Sequence, residues 1–313
     1  MSAKTITILG VTGGIGHAAA TQFLAAGWHV KGFARTNRHP IQGVEFIGGN
    51  ADNLSDLMAA TQGSDVVLNG LNLPYHQWGN GAAEALMSRV IAASVGKTML
   101  FPGNIYNYAA TDRVITPDLP QKPQTYRGEI RKRMESQLKS AAQAGDLQAI
   151  ILRAGNFYGS PVGGDFFAQL ILREASKNRV CLNPKRTVPN AWAYLPDMAR
   201  AFTILAGQRQ TLQNFENFHF AGHLATADQT YAAMRDALPH IALKRTSYPW
   251  ALLKAIGVFN PLIHGLVEMR YIWDNELGLK DDRLDAILGE NFGLTHSQAI
   301  AAVMPAYFAA KAA

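Results

Sequence analysis

Cysteine is almost absent: Cys181 stands alone in 313 residues. That excludes an intramolecular disulfide framework and any cysteine-rich zinc or iron–sulfur site. Charge is scarce as well, at 17% of residues against about 25% in an average globular chain. With 48% hydrophobic residues, a disordered polyelectrolyte is excluded and a sizeable core is possible. No uninterrupted apolar run approaches the roughly 18 residues of a membrane span. The nearest stretch, Tyr248 to Met269, is broken by Lys254, the Asn260–Pro261 step and His264. The start, MSAKTITILGVTGG, has no basic segment followed by an apolar one and a small-residue cleavage site. No secretory leader is therefore expected, and a cytoplasmic location is.

Several chemical signatures are missing too. No Gly-x-Ser-x-Gly elbow occurs, which argues against a hydrolase triad. His219 and His223 have i,i+4 spacing but no Glu between them, and they straddle a strand end, so no metal site is expected. The net charge of +6 hints at anionic ligands. The basic group Arg127, Arg131, Lys132 and Arg133 lacks interleaved aromatics and reads as a solvated helix face. Neither nucleic acid nor a membrane is expected as a partner.

What is present is an alternation. Apolar runs at Thr5–Leu9, Trp28–Phe33, Val44–Ile47, Asp65–Leu68, Thr98–Phe101 and Ala149–Leu152 read as buried strands. Helical stretches at Ile15–Ala26, Leu54–Thr61, Ala82–Val95 and Arg127–Ala144 separate them. Alternation of this kind predicts an α/β fold, a parallel sheet covered on both faces, and doubly wound topology with right-handed crossovers. Beyond residue 155 the rhythm loosens. A further strand at Phe215–Phe220 and helices at Asp197–Ala206, Ala227–Leu238 and His296–Ala310 are expected there. Two of these helices open with capping-box spelling, Thr226–Gln229 and Thr295–Gln298. We read 1–155 as a nucleotide-binding domain. Residues 156–313 read as mainly a substrate lobe, with some elements returning to the sheet.

The strongest motif joins the first strand to the first helix: T-I-T-I-L-G10-V-T-G13-G14-I-G16. Glycine dihedrals suit the tight turn, and missing side chains let backbone N–H groups approach a diphosphate. The helix that follows points its positive end at the phosphates. Gly10, Thr12, Gly13, Gly14, Ile15 and Gly16 are thus candidate cofactor contacts. After the second strand, where an NAD-preferring chain carries Asp or Glu, this one reads A-R35-T-N-R38. Two guanidinium forks suit a ribose 2′-phosphate, so NADP is expected ahead of NAD. Asp52, after the third strand, is placed to accept from the adenine amino group or to cap the next helix.

Together these residues resemble the extended short-chain dehydrogenase/reductase superfamily, in its NAD-dependent epimerase/dehydratase branch. The V-V-L-N69-G-L strand end adds to the likeness, as does I-L-R153-A-G-N156-F-Y-G159, similar to the family's LRPGNVYGP. W-A-Y-L-P-D197-M-A-R-A resembles VHVDDVARA. The resemblance covers almost the whole chain. It implies a Rossmann domain with a smaller C-terminal substrate lobe, and cofactor contacts at Asn69, Gly70 and Leu71. It also implies that the peptide around Ala154, Asn156 and Phe157 lies near the nicotinamide.

The family's catalytic pattern is altered here. Relatives use a Tyr acid/base, a Lys four residues later that lowers its pKa, and a Ser or Thr at the end of strand five. Here Asn104 stands at the Ser position. Tyr126 is followed at plus four by Ile130. With Glu135 aligned to the Glu that closes the family's helix motif, Arg127 takes the Tyr position and Arg131 the Lys position. Arg131 can hold a hydroxyl but cannot shuttle a proton, whereas Asn104 can still orient a carbonyl. Tyr126, one residue out of register, and Tyr106 are the candidate acids. Tyr75, His76 and Trp78 follow strand four and either line the site or form a packed loop. The Tyr307-x-x-x-Lys311 spacing reads as coincidence. The apolar stretch Trp250–Val267 is read as lobe core, or else as a substrate wall or subunit contact. Two functions stay open: an NADP-dependent oxidoreductase or epimerase/dehydratase-like enzyme on a small carbonyl or hydroxyl substrate, and a non-catalytic NADP(H)-binding sensor. A homodimer stays open as well.

Overall fold

The structure, a computed structural model, describes residues 4–309. Strands β1 (Thr5–Leu9), β2 (His29–Ala34), β3 (Val44–Gly48), β4 (Val66–Asn69) and β5 (Thr98–Gly103) come first. Helices α1 (Gly14–Ala25), α2 (Leu54–Thr61) and α3 (Ala82–Ala93) lie among them. The middle of the chain holds β6 (Val114–Ile115), α4 (Tyr126–Ala144), β7 (Gln148–Arg153), β8 (Asn156–Tyr158) and β9 (Arg179–Leu182). It continues through β10 (Asn190–Tyr194), α5 (Leu195–Gly207), β11 (Phe215–His219), β12 (His223–Ala225) and α6 (Ala227–Ala237). The last part holds β13 (Lys244–Ser247), α7 (Trp250–Gly257), α8 (Pro261–Glu268) and α9 (Tyr271–Asp274). It ends with β14 (Gly278–Leu279), α10 (Asp282–Leu288) and α11 (His296–Ala309). Ala310 and Lys311, which the sequence reading includes in the final helix and its Tyr-x-x-x-Lys spacing, lie outside the described residues.

Seven strands form one sheet in the order β11-β7-β5-β4-β1-β2-β3, every pair parallel. The chain winds outward from β1 to β3, then crosses to β4 and winds the other way. That reversal is the switch point of a doubly wound fold, where ligands sit at the carboxyl ends of the strands. The strands read as apolar runs because both faces are covered. Ile6, Ile8, Leu68 and Ile150 pack under α1 and α5 with Phe23 and Phe202. Leu9, Val67, Met99 and Ile151 face α2, α3 and α4 through Leu57, Met87 and Ile130. This is the expected α/β Rossmann architecture. The strands run a residue or two further than their apolar spelling: β5 ends on Pro102–Gly103 and β7 on Arg153. Beyond Leu100, β5 is paired with β7 alone, because β4 has already turned away.

A second core lies beyond the sheet, around Tyr158, Phe167, Trp192, Met234, Trp273 and Ile300. Its frame is the small sheet β12-β10-β8 with α6 and α11 packed beside one another. Both capping boxes form: Thr226 N–H donates to Gln229 Oε1 at 2.8 Å and Thr295 N–H to Gln298 Oε1 at 2.9 Å. Trp250 stacks on Trp273 with ring centres 5.8 Å apart, anchoring the α7–α8 hairpin. Its tip, Val258 and Phe259, is exposed. The Trp250–Val267 stretch is therefore lobe core at its foot only.

The two cores meet at Gly155. A Cβ there would lie 2.3 Å from the carbonyl oxygen of Ala191, at the start of β10. Gly207, at the end of α5, has open space around it and ordinary helical backbone. We expect Gly155→Ala to cost about 1–3 kcal/mol by overpacking, and Gly207→Ala to add up to about 1 kcal/mol. Urea unfolding checks both; equal effects would contradict the close crossing at Gly155.

Candidate active site

The turn after β1 is shaped by contacts that only glycine allows. Gly10 has φ +82, and its N–H donates to Phe33 O at the end of β2 over 2.8 Å. A Cβ on Gly16 would lie 2.2 Å from Gly10 O. One on Gly10 would lie 3.0 Å from Gly70 O, so the turns after β1 and β4 touch backbone to backbone. Helix α1 begins on Gly13 with no side-chain cap and no acid in its first turn. Its first N–H groups are left for a ligand, as an anion site requires. The loop after β8 closes over this turn: a Cβ on Gly14 would be 2.8 Å from Ser160 Oγ.

A cavity of about 450 Å³ opens beside the turn. Gly14, Ile15, Asn69, Gly70 and Leu71 form one side of it. Asn104, Tyr106 and Arg131 form another, and Asn156 and Phe157 a third. Gly163 to Phe166 complete the wall. Of the candidate cofactor residues, Gly10, Thr12, Gly13 and Gly16 shape the turn without lining this space, and Ala154 is buried behind it. Arg35 and Arg38 are exposed beyond β2; Arg38 Nε donates to Thr36 Oγ1 at 3.2 Å. Neither arginine is in an ion pair among the described residues. Asp52 is also exposed and accepts from Arg89 at 3.1 Å. It does not cap α2, whose cap position belongs to Asn53.

Tyr126 is not brought into the cavity. It is exposed as the first residue of α4, and a Cβ on Gly79 would meet its hydroxyl at 3.4 Å. The reason is helical phase: Arg127, Arg131 and Glu135 are spaced i,i+4 on one buried face, and Tyr126 falls beside it. His76 is exposed as well, with Gln77 for a neighbour. Two tyrosines do line the cavity, Tyr75 and Tyr106, and a short hydrogen bond joins their hydroxyls. Burial raises the pKa of both phenols, so both are protonated at neutral pH. Asn104 turns the chain into this segment: its Oδ1 accepts from Tyr106 N–H at 3.0 Å, which leaves its amide N–H₂ to donate. Arg127 pairs with Glu268 and donates to Tyr75 O at 3.2 Å. It ties the Tyr75 loop to α8.

Beneath these groups is a charge network that the sequence reading did not single out. Arg153, fully buried at the end of β7, donates to both oxygens of Glu135, at 2.5 and 3.1 Å, and to Asn104 O at 2.5 Å. Arg153 holds the Glu135 carboxylate below its usual range against the opposing effect of burial. His219 Nε2 faces two donors, Arg153 Nε and Asn217 Nδ2, each at 3.3 Å, so it must be an acceptor. Its Nδ1–H then donates to Ile115 O at 3.1 Å. A charged residue ending a fully buried strand demands a partner. That rule applied to Arg153 was the available signal for this network.

A parallel sheet with a glycine-lined turn, and a cavity across its switch point, defines a protein of the Rossmann class. The comparisons place it more narrowly. The chain belongs to the NAD dependent epimerase/dehydratase family, whose model matches residues 6–220. Solved structures of similar fold include MoeE5 in complex with UDP-glucose and NAD, at 16% identity and TM-score 0.76 over 99% of this chain and 100% of that one. UDP-glucose 4-epimerase from Brucella ovis in complex with NAD is 13% identical, with TM-score 0.76 over 98% and 99%. UDP-N-acetylglucosamine 4-epimerase from Bacillus cereus is 13% identical, with TM-score 0.75 over 96% of each chain. None of the curated proteins matches the chain by sequence.

Burial and the Arg153 charge press the His219 pKa down from 6.5 to about 4. The unfolded chain binds a proton at His219 below pH 6.5, and the folded one does so only near pH 4. Stability is therefore unaffected by His219 above about pH 6.5. Below that it falls by up to about 1.4 kcal/mol per pH unit down to pH 4. His296, also pressed to about 4 by burial and by His223, acts in the same direction. Urea midpoints measured between pH 7 and 5 should drop steadily; a level profile would show that His219 is not held neutral.

Proposed function

We propose that the protein is an NADP-linked oxidoreductase or epimerase-like enzyme acting on a small carbonyl or hydroxyl compound. The glycine turn and the open N-terminus of α1 would hold the diphosphate, and Asn69, Gly70 and Leu71 would border the coenzyme beyond it. The coenzyme, when bound, supplies or accepts a hydride at its nicotinamide ring. The exposed, unpaired Arg35 and Arg38 support NADP over NAD, because a 2′-phosphate would meet two guanidinium groups there.

The observation that carries the catalytic reading is the Tyr75–Tyr106 hydroxyl pair on the cavity wall beside Arg131 and Asn104. Tyr106 would donate its proton to the substrate oxygen as charge develops there, and would draw on Tyr75 as it does so. Asn104 would orient the same oxygen through its amide N–H₂. Arg131 adds positive charge at the position where relatives carry Lys, without titrating. The acid is thus carried by the loop after β5 instead of by α4.

Two measurements test this reading. Arg35→Ala should weaken NADPH binding in calorimetry by roughly tenfold or more, the worth of a charge-assisted contact, and leave NADH binding nearly unchanged. Equal weakening of both would remove the 2′-phosphate assignment. In turnover assays over a panel of carbonyl compounds, Tyr106→Phe should lower the rate by about 10²–10⁴, the range for acid/base groups. Tyr126→Phe should leave it within about twofold, since Tyr126 lies off the cavity. Tight NADPH binding with no turnover across the panel would favour the sensor.

A further inference from the structure

Arg131 is a buried cation whose acidic neighbours are all engaged elsewhere. It is 6% exposed and lines the cavity. Glu135, one helical turn away, accepts from Arg153 at 2.5 and 3.1 Å and from Gln121 at 2.9 Å. Glu268 belongs to Arg127. Asp165, the carboxylate on the cavity lining, accepts from the backbone N–H groups of Ser160 at 2.9 Å and Ala168 at 2.7 Å. Tyr75 and Tyr106 keep their protons, and His219 is neutral. Arg131 itself donates to Pro102 O at 2.8 Å and lies 4.5 Å over the Phe101 ring. Its Nε is buried with no hydrogen-bond partner among the described residues.

In the cluster of Arg131, Arg153 and Glu135 two guanidiniums therefore share one carboxylate, and Arg131 has no ion-pair partner of its own among the described residues. A guanidinium cannot shed its proton, and a lone buried ion is costly. A ribose hydroxyl, the contact that the resemblance implies for the Lys position, is neutral and leaves the charge standing. We propose that Arg131 receives a carboxylate of the substrate. The cavity then takes small 2-oxo or 2-hydroxy acids, with the carboxylate on the Arg131 fork and the adjacent oxygen near Tyr106 and Asn104. A planar fork matches a carboxylate with two parallel hydrogen bonds. This rests on the proposed function, whose cavity it supplies with a substrate class.

The test uses oxamate and oxamide, which match in size and differ in charge. Calorimetry on the NADP-saturated protein should show oxamate binding at least about tenfold tighter than oxamide, the worth of a hydrogen bond to a charged group. R131Q should lose roughly tenfold to a hundredfold in oxamate affinity. Its NADP affinity and thermal midpoint should stay near those of the parent, because the change removes a charge with no ion-pair partner of its own. Equal binding of the two probes, no oxamate binding to the parent, or full oxamate affinity in R131Q would each overturn the proposal. So would a matching loss of NADP affinity in R131Q, since a coenzyme phosphate would then be the anion. Where R131Q does not fold, R131K decides: weaker oxamate binding with unchanged oxamide binding supports the fork, and unchanged oxamate binding refutes it. If the protein binds no coenzyme at all, the proposed function falls, and the same titrations without coenzyme still judge the anion site.

Discussion

The buried pair of Arg153 and Glu135 is the constraint on which the cavity wall depends. It joins the end of β7 to the inner face of α4, and Arg153 reaches on to the carbonyl of Asn104. Through Gln121 and Asn107 the network continues into the loop before α4. Three segments distant in the chain are thus held at one point. Taking two ions out of water is expensive, and their attraction repays it only with good geometry and satisfied remaining atoms. Here Glu135 has partners on both oxygens and Arg153 reaches five acceptor atoms on four residues. The network's value lies in position: it sets where Asn104 and the Tyr106 segment stand relative to the sheet.

That placement explains how the cavity wall carries two phenols although Tyr126 lies outside it. With arginines at i,i+4 in the first turns of α4, this end of its inner face carries cations, which pack against Tyr75, Trp78 and Phe101. The hydroxyls come from the loops after β4 and β5 instead. Both loops leave the sheet at its carboxyl edge beside the switch point, so the exchange of elements keeps the hydroxyl close to the glycine turn.

The sheet was readable because a strand buried on both faces needs an apolar run, and the runs are short and separated by helical periods. The glycine turn was readable because its backbone contacts forbid side chains. The strand ends were less so: Pro102 and Arg153 break the apolar spelling, and their inclusion depends on pairing with β7 and on a distant carboxylate. Tyr126 stands a single residue of helical phase, about 100° around the axis, from the face that buries Arg127 and Arg131, and pattern alone does not say whether the start of a helix bridges that angle. The Tyr75–Tyr106 contact joins two loops remote in sequence, so spacing alone could name its members without pairing them. Arg153 stood in a quoted motif, yet its partner is fixed only by the way α4 lies across β7.

The paired hydroxyls belong to separate segments, and one of those segments is braced from outside by Arg127 against Glu268. The pair therefore exists only while both segments are seated together. In the proposed chemistry, a guest too bulky for the space would wedge the two apart and disarm the acid. Selection by size would then reside in the integrity of the proton donor itself, with no separate gate.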